Sequence, residues 1–346
     1  MNTLACPLPI RTKDQILLGH GSGGTLSAEL MRDIFLPAFS NPILDCLDDQ
    51  AVVSVNGVRL AITTDSFVVK PLFFRGGDIG SLAVHGTVND LAMGGATPLF
   101  LTVAFILEEG LSTETLRRVV DSLARAAAAA GVRIVTGDTK VVEKGSGDGL
   151  FINTTGIGIV PDGVRLSANQ AKPGDKVILS GAIGEHGIAI LAEREGLEFE
   201  SPVGSDSAAL NTLVADMLAA VQGIRCLRDP TRGGVSSTLN EIAQQSKVSM
   251  LLDERAIPVR PEVQGACELL GLDPMYVANE GKLIAIVDPA DEAPLLSAMR
   301  RHPLGQAAAT IGVVTEGHPG MVTMRTVLGT SRVVDMLAGD QLPRIC

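Results

Sequence analysis

The chain has 346 residues, 46% of them hydrophobic, with no Trp, one Tyr and a formal net charge of −11. That length suits about two domains with cores of their own. Its acidity repels phosphate backbones and it lacks the aromatic side chains on which single strands stack, so no nucleic-acid partner is expected.

Taken in order, the chain opens with "MNTLACPLPIRTKDQ", which has no apolar signal region and leaves Cys6 without a case as a lipidated or processed site. "LSAELMRDIF" reads as a helix behind the glycine-rich "GHGSGG". "VRLAITTDSFVV" is β-branched and reads as a strand. "DIGSLAVHGTVNDLAMGG" predicts a helix closing on glycines, and "PLFLTVAFIL" a strand. In "STETLRRVVDSLARAAAAAG", Leu116, Val119, Val120, Leu123 and Ala127 fall on one helical face, between a Ser112 N-cap and a Gly131 stop. "VRIVT" and "LFINTTGIGIV" are two further strands. A polar, Pro- and Gly-containing break follows at about 161–175.

The second half restarts with the strand "KVILSG" and a helix from about His186. It continues with "GGVSSTLNEIAQQ" (helix), "VSMLL" (strand), "PEVQGACELLG" (helix), "KLIAIVD" (strand), "EAPLLSAMRRH" (helix) and "AATIGVV" (strand). The expectation is a two-domain α/β chain in α+β layers, because strand follows strand around 132–160. No apolar run reaches the roughly 18 residues of a membrane helix, so no membrane association is expected. The five cysteines (Cys6, Cys46, Cys226, Cys267, Cys346) form no CxxC pair and fit neither a zinc site nor a disulfide framework. Cys267 reads as a buried helix residue and Cys226 as the end of an element near the core. Reduced thiols in the cytoplasm follow as the expectation.

"GHGSGG" matches G-x-G-x-x-G, with Asp45 about 20 residues on. A dinucleotide fold is discounted, because "FSNPILDCLDD" breaks where its second strand belongs. The glycines make either a flexible turn or a loop that closes over phosphates. The acids in "LDDQAVV", "TTDSF", "VNDLAMGG", "TGDTK" and "LRDPTRGGV" stand at strand ends and turns or on a helix beside glycine. One such Asp is ordinarily a cap or a solvated turn residue; five in similar settings suit Mg²⁺, which takes hard oxygen ligands and shares them with phosphates. Lys140 is either a surface lysine or a cation for a transferred phosphoryl group. Glu280 in "ANEGKLIAIV" is either a loop carboxylate paired with Lys282 or a base whose pKa is raised by burial. His85 reads as a packed helix residue and His302 as a helix end. No G-x-S-x-G or triad is present.

Together "HGSGG", "DDQAVV", "TTDSFVVKPLFFRGGDIG", "NDLAMGGATP", "FILEEGL", "IVTGDTKVV", "LRDPTRGGV", "CELLGLD", "ANEGKL" and the terminal "PRIC" resemble the ATP-dependent superfamily of aminoimidazole ribonucleotide synthetase, selenophosphate synthetase and thiamine-monophosphate kinase. Within it they resemble the HypE family of hydrogenase-maturation carbamoyl dehydratases. The resemblance spans nearly the whole chain, and the pairing of "PRIC" with "GDTKVV" is its most specific part.

That resemblance implies an N-terminal extension at 1–15, an ATP- and Mg²⁺-binding domain at 16–165 whose sheet forms a dimer interface, a C-terminal α/β domain at 170–335 and a mobile tail at 336–346. It implies that the carbamoyltransferase HypF loads a carbamoyl group onto Cys346 and that ATP-dependent dehydration leaves a thiocyanate. A HypC–HypD complex then accepts the cyanide for the [NiFe]-hydrogenase iron. By match, Asp49, Asp65, Asp90 and Asp229 are the metal ligands. His20, Gly21, Gly23, Gly24, Thr64, Asn89 and Asp138 bind the nucleotide, and Cys346, Lys140 and Glu280 carry the chemistry. Pro343 disfavours helix at Leu342, so the last seven residues reach about 23 Å at roughly 3.3 Å each. A free-substrate enzyme of the same superfamily and a non-catalytic docking scaffold stay open as alternatives.

Overall fold

The computed structural model describes residues 15–197 and 202–339. The expected N-terminal extension with Cys6, apart from residue 15, and the expected tail from residue 340 on, Cys346 included, lie outside the described residues.

Helices α1 (Gly24–Leu30) and α2 (Leu36–Phe39) are joined by a π-helical turn, Met31–Phe35, into an arm that leaves Ile34, Phe35 and Phe39 exposed. Strands β1 (Ala51–Val55) and β2 (Val58–Phe67) form a hairpin, and the short pair β3 (Phe73–Phe74) and β4 (Gly77–Asp78) leads into α3 (Ile79–Met93). Then come β5 (Thr97–Glu108), α4 (Thr113–Ala130), β6 (Arg133–Val142) and β7 (Leu150–Ile159). The first sheet has the order β1-β2-β7-β5-β6, antiparallel except for the β5–β6 pair.

Helix α3 is predicted correctly and for a visible reason. Asp78 accepts from the backbone of Gly80 (2.8 Å) and Ser81 (3.1 Å), while Ser81 Oγ accepts from Asp78 N–H (3.1 Å), a reciprocal N-cap. The helix is buried on nearly every side, with Ile79, Leu82, Val84, Val88 and Leu91 inaccessible. One side lies on β2 and β7, and its C-terminal end enters the apolar cluster of the second domain through Ala92 and Met93. Each such side chain stabilises by about 1.5–3 kcal/mol. In α4, Ser112 caps as expected and Gly131 ends the helix at φ 73°. The apolar stripe is turned slightly: Val120 faces solvent, and Ala126 and Ala130 take its place in the core.

The second half contains β8 (Lys176–Leu179), α5 (Glu185–Glu195), α6 (Asn211–Ala220), β9 (Ile224–Arg228), α7 (Gly234–Ser246), β10 (Ser249–Asp253), α8 (Pro261–Leu270), β11 (Ile284–Val287), α9 (Glu292–Arg301), β12 (Ala309–Thr315), β13 (Val322–Arg325) and β14 (Ser331–Val333). Its sheet order is β14-β13-β10-β12-β8-β11-β9. The sequence reading omits α6, whose polarity is not clearly one-sided, and the short strands β9, β13 and β14. Cys226 lies inside β9, fully buried, and Cys267 is buried in α8. Beyond β14 the chain stays packed: Leu337 is buried, its carbonyl accepts from Thr25 N–H (2.9 Å), and its own N–H donates to Ser237 Oγ (3.3 Å).

Alternation fixes the faces of the first sheet, since successive side chains point to opposite sides. Asp65 pairs with Thr154, Thr154 with Val103, and Val103 with Gly137, a row on the face that α3 covers. Thr64, Thr155, Thr102 and Thr136 form the next row, on the open face. Asp138 and Lys140 lie opposite Ala104 and Ile106 on that same open face. The sequence reading ends a strand near Thr136; β6 instead continues through Val142 in full register with β5, which puts Asp138 and Lys140 mid-strand rather than in a turn.

Candidate active site

The carboxylates nominated as metal ligands arrive from four places. Asp49 precedes β1, Asp65 lies in β2 on the covered face, Asp90 in the last turn of α3, and Asp229 directly after β9. Thr63 Oγ1 lies 2.7 Å from Asp90 Oδ2 and 3.0 Å from the Asp49 carbonyl, tying β2 to both. Asp65 and Asp90 are close enough for the Asp65 charge to push the Asp90 pKa upward. Asp49 forms an ion pair with Arg228 (2.8 Å), whose other end meets Glu241 of α7 (2.8 Å).

Burial dominates the electrostatics. It pushes Asp49 and Asp90 well above the usual carboxylate range, against the pull of Arg228 on Asp49 and with Asp65, Asp229 and Asp49 adding to the push on Asp90. Asp65 is raised by burial against Arg232, and Asp229 rises to about 6 by burial against Arg228. Asp48 and Asp45 do not join: Asp48 Oδ1 accepts from Ser167 Oγ (3.1 Å) and Ala168 N–H (2.9 Å), and Asp45 accepts from Ser40 Oγ (2.9 Å).

The glycine-rich turn is packed against this cluster rather than loose. Arg232, in the loop after Asp229, donates to the Gly21 carbonyl (3.1 Å). At Gly23 (φ 76°) a Cβ would stand 2.8 Å from the Arg232 carbonyl, and at Gly24 (φ 75°) it would run into the Leu337 carbonyl. Only glycine fits both the backbone angle and the approach. His20 is tied to its own turn, Nδ1 accepting from Leu17 N–H (3.0 Å).

Glu280 is buried, 3% exposed, and its Oε1 has no hydrogen-bond partner. Burial lifts its pKa well above normal, helped by Asp229, Asp206 and Asp65 and opposed by Arg232. Of the two readings of Glu280, the pairing with Lys282 does not form, because Lys282 Nζ goes to Asp206 (2.9 Å) and Glu185 (3.2 Å). Asn89, nominated for the nucleotide, spends its amide on the second domain: Nδ2 donates to the carbonyls of Ala208 (3.1 Å) and Glu280 (3.3 Å), and Oδ1 accepts from Leu210 N–H (2.8 Å).

Three nominated residues stand apart. Lys140 is 72% exposed and pairs with Asp138 (3.0 Å), which lowers the Asp138 pKa chiefly through their hydrogen bond. Thr64 Oγ1 donates to the Thr154 carbonyl (3.0 Å). All three occupy the open face, so within one chain the sheet lies between them and the acids. The sequence reading misses Arg228, Arg232, Glu241 and Asp206; the first two sit inside "LRDPTRGGV", flanking the nominated Asp229, and alternating charge there is the signal.

No three His, Cys, Asp or Glu form a finished metal cage among the described residues. Magnesium needs less, usually one or two carboxylates plus water and phosphate. Asp49 Oδ2 is buried without a hydrogen-bond partner, and the acids repel one another's charge, so this all-oxygen set is short of a cation. The residues fit a magnesium ion shared with phosphates.

Residues 47–160 match the N-terminal domain, and residues 172–324 the C-terminal domain, of the AIR synthase related proteins. Fold and site thus define a member of that two-domain class. The carbamoyl dehydratase HypE of Cupriavidus necator is 59% identical over 341 residues, 98% of this chain and 97% of that protein. A HypE structure in complex with HypF matches with a TM-score of 0.85 at 48% identity, covering 89% of this chain and 99% of the other. A HypE structure in complex with ATP matches at 0.81 and 50% identity, covering 96% and 100%. The chain belongs to the HypE family of carbamoyl dehydratases.

Proposed function

We propose that the chain dehydrates a carbamoyl group carried on its own Cys346 sulfur to a thiocyanate, with ATP as co-substrate, and so supplies cyanide for the [NiFe]-hydrogenase iron. The observation that carries this reading is the convergence of Asp49, Asp65, Asp90, Asp229 and the unpartnered Glu280 at the junction of the two domains. ATP supplies the phosphoryl group that turns the carbamoyl oxygen into a leaving group, with Mg²⁺ neutralising its phosphates. Asp49, Asp65, Asp90 and Asp229 would hold the metal. The glycine turn from His20 to Gly24 lies beside them through Arg232, with backbone N–H groups suited to phosphate oxygens. Glu280, unpartnered and raised in pKa, accepts the nitrogen protons as the C≡N bond forms and phosphate departs. Its burial also keeps water from the activated carbamoyl.

Lys140 stands across the sheet from Glu280. A part at the phosphoryl group therefore falls to the Lys140 of a second copy, packed on the open face where Ile106 and Ile159 are exposed. That apolar surface supports a homodimer through the N-terminal sheets. The domain limits proposed are 16–165 and 170–335, with a tail at 336–346. HypF is the proposed carbamoyl donor, as suggested by the HypE–HypF complex, and a HypC–HypD complex the acceptor. The location proposed is the cytoplasm; no helix among the described residues is long and apolar enough to cross a membrane.

The test is mass spectrometry of the C-terminal peptide. Carbamoyl phosphate, ATP and the partner transferase should add a carbamoyl group to Cys346. ATP and Mg²⁺ should then remove one water from that adduct. An unmodified Cys346, or an adduct that ATP leaves unchanged, overturns the reading.

A further inference from the structure

Glu280 sits in a loop, yet its peptide unit is held on both sides. Its N–H donates to Asp206 Oδ1 (3.1 Å). Its carbonyl accepts from Asn89 Nδ2 (3.3 Å) and from Ala208 N–H (3.3 Å). The next residue, Gly281, lies so close to the same segment that a Cβ would run into the Asp206 carbonyl. The carboxylate of Asp206 is 2% exposed, and its second oxygen receives Lys282 Nζ (2.9 Å). Lys282 is in turn anchored by Glu185 of α5, and Glu185 by Arg260 (2.9 Å). The flanking residues are pinned as well: His186 Nδ1 meets Ser205 Oγ (2.8 Å), Ser205 Oγ accepts from Ser207 N–H (3.1 Å), and His85 Nδ1 meets Ser207 Oγ (2.9 Å).

We propose that Asp206 is the positioning residue of this enzyme's base: it grips the Glu280 peptide from below while Lys282 holds it in place, and so aims the unpartnered Glu280 Oε1 at the reacting nitrogen. The inference rests on the reading of Glu280 as the base. Two features set Asp206 apart from an ordinary buried ion pair. A Lys282–Glu185 pair alone would anchor the lysine, so Asp206 is not needed for that. And its charge is placed to act on Glu280: the groups around that carboxyl are Asp229 after β9, Asp65 of β2, Arg232 of the following loop and Asp206 itself. Buried charges act on each other through little solvent screening. Asp206 thus fixes the position of the base and adds to the upward push on its proton affinity. A base misplaced by about 1 Å costs on the order of a hundredfold in rate.

The experiment uses the full chain, carbamoylated on Cys346, in single-turnover dehydration followed by mass spectrometry across pH. Asp206→Asn keeps an oxygen to accept the Glu280 N–H but removes the charge. Its acid limb should move to lower pH, with the plateau rate within about tenfold of wild type. Asp206→Ala loses the grip as well, and its rate should fall by about a hundredfold while the KM for ATP stays within about twofold. An Asp206→Asn profile superimposed on the wild-type profile overturns the inference, as does an Asp206→Ala loss seen only as a higher KM for ATP. Should Asp206→Ala fail to fold, Asp206→Asn decides alone. Glu280→Gln separates the two levels: an active Glu280→Gln enzyme overturns the base reading and this inference with it. An inactive one beside an unshifted Asp206→Asn overturns this inference only.

Discussion

The two faces of the first sheet carry residues of the same chemical kinds and treat them in opposite ways. On the covered face, Asp65 lies under α3 beside Asp90, and burial lifts both pKa values. On the open face, Asp138 lies in solvent beside Lys140, and their contact lowers its pKa. Environment, rather than residue type, separates a site that wants a cation from a surface pair worth little energy. One position along a strand is enough to make the change, because Thr64 and Asp65 are neighbours on opposite faces.

The sharpest break in that comparison comes from the acids. Asp90→Asn should lower ATP-dependent dehydration by at least about a hundredfold and abolish Mg²⁺-dependent ATP binding, read by calorimetry. Asp138→Asn, the same change on the open face, should leave ATP binding within about twofold. Equal losses would erase the distinction between the faces. Next in size is complementation: Lys140→Ala and Glu280→Gln chains, each inactive, should recover up to about a quarter of wild-type activity when mixed, if the open face serves a second copy. No recovery, with dimers seen by light scattering, would overturn the assignment of Lys140 to a second copy's site. Ile106→Glu should shift the sedimentation coefficient to that of a monomer, because it charges the exposed open face.

The smallest effect concerns pH. Burial lowers the His85 pKa to about 4 from an ordinary 6.5. A depressed folded pKa means that the unfolded chain binds the proton more readily. The contribution is therefore full above about pH 6.5 and is lost as pH falls through the window down to about 4. At most about 3 kcal/mol is at stake. His85→Gln should flatten the dependence of urea-unfolding stability on pH in that window and leave the open-face residues unaffected.

Most of the architecture was legible from periodicity, since long apolar strands and a capped helix such as α4 announce themselves locally. The acids of the covered face were legible as a set because each ends or borders an element beside glycine. What single residues did there was not. Asn89 clamps the second domain and Lys282 bypasses Glu280, and both facts depend on the segment 205–210, which has no periodic signal. The extent of β6 was hidden by "TGD", which reads as a turn until the parallel pairing with β5 carries it onward. Arg228 was passed over because a buried arginine has no local pattern; it is defined by Asp49 and Glu241, both far from it along the chain.

Helix α3 places Asn89 and Asp90 side by side, one gripping the second domain and the other facing the acids, on a rod with almost no accessible surface. Its backbone amides should be among the slowest in the molecule to exchange with deuterated water, and they should open only with the whole fold. Truncating its inaccessible apolar residues, such as Leu82 or Val88, should remove folding and catalysis together.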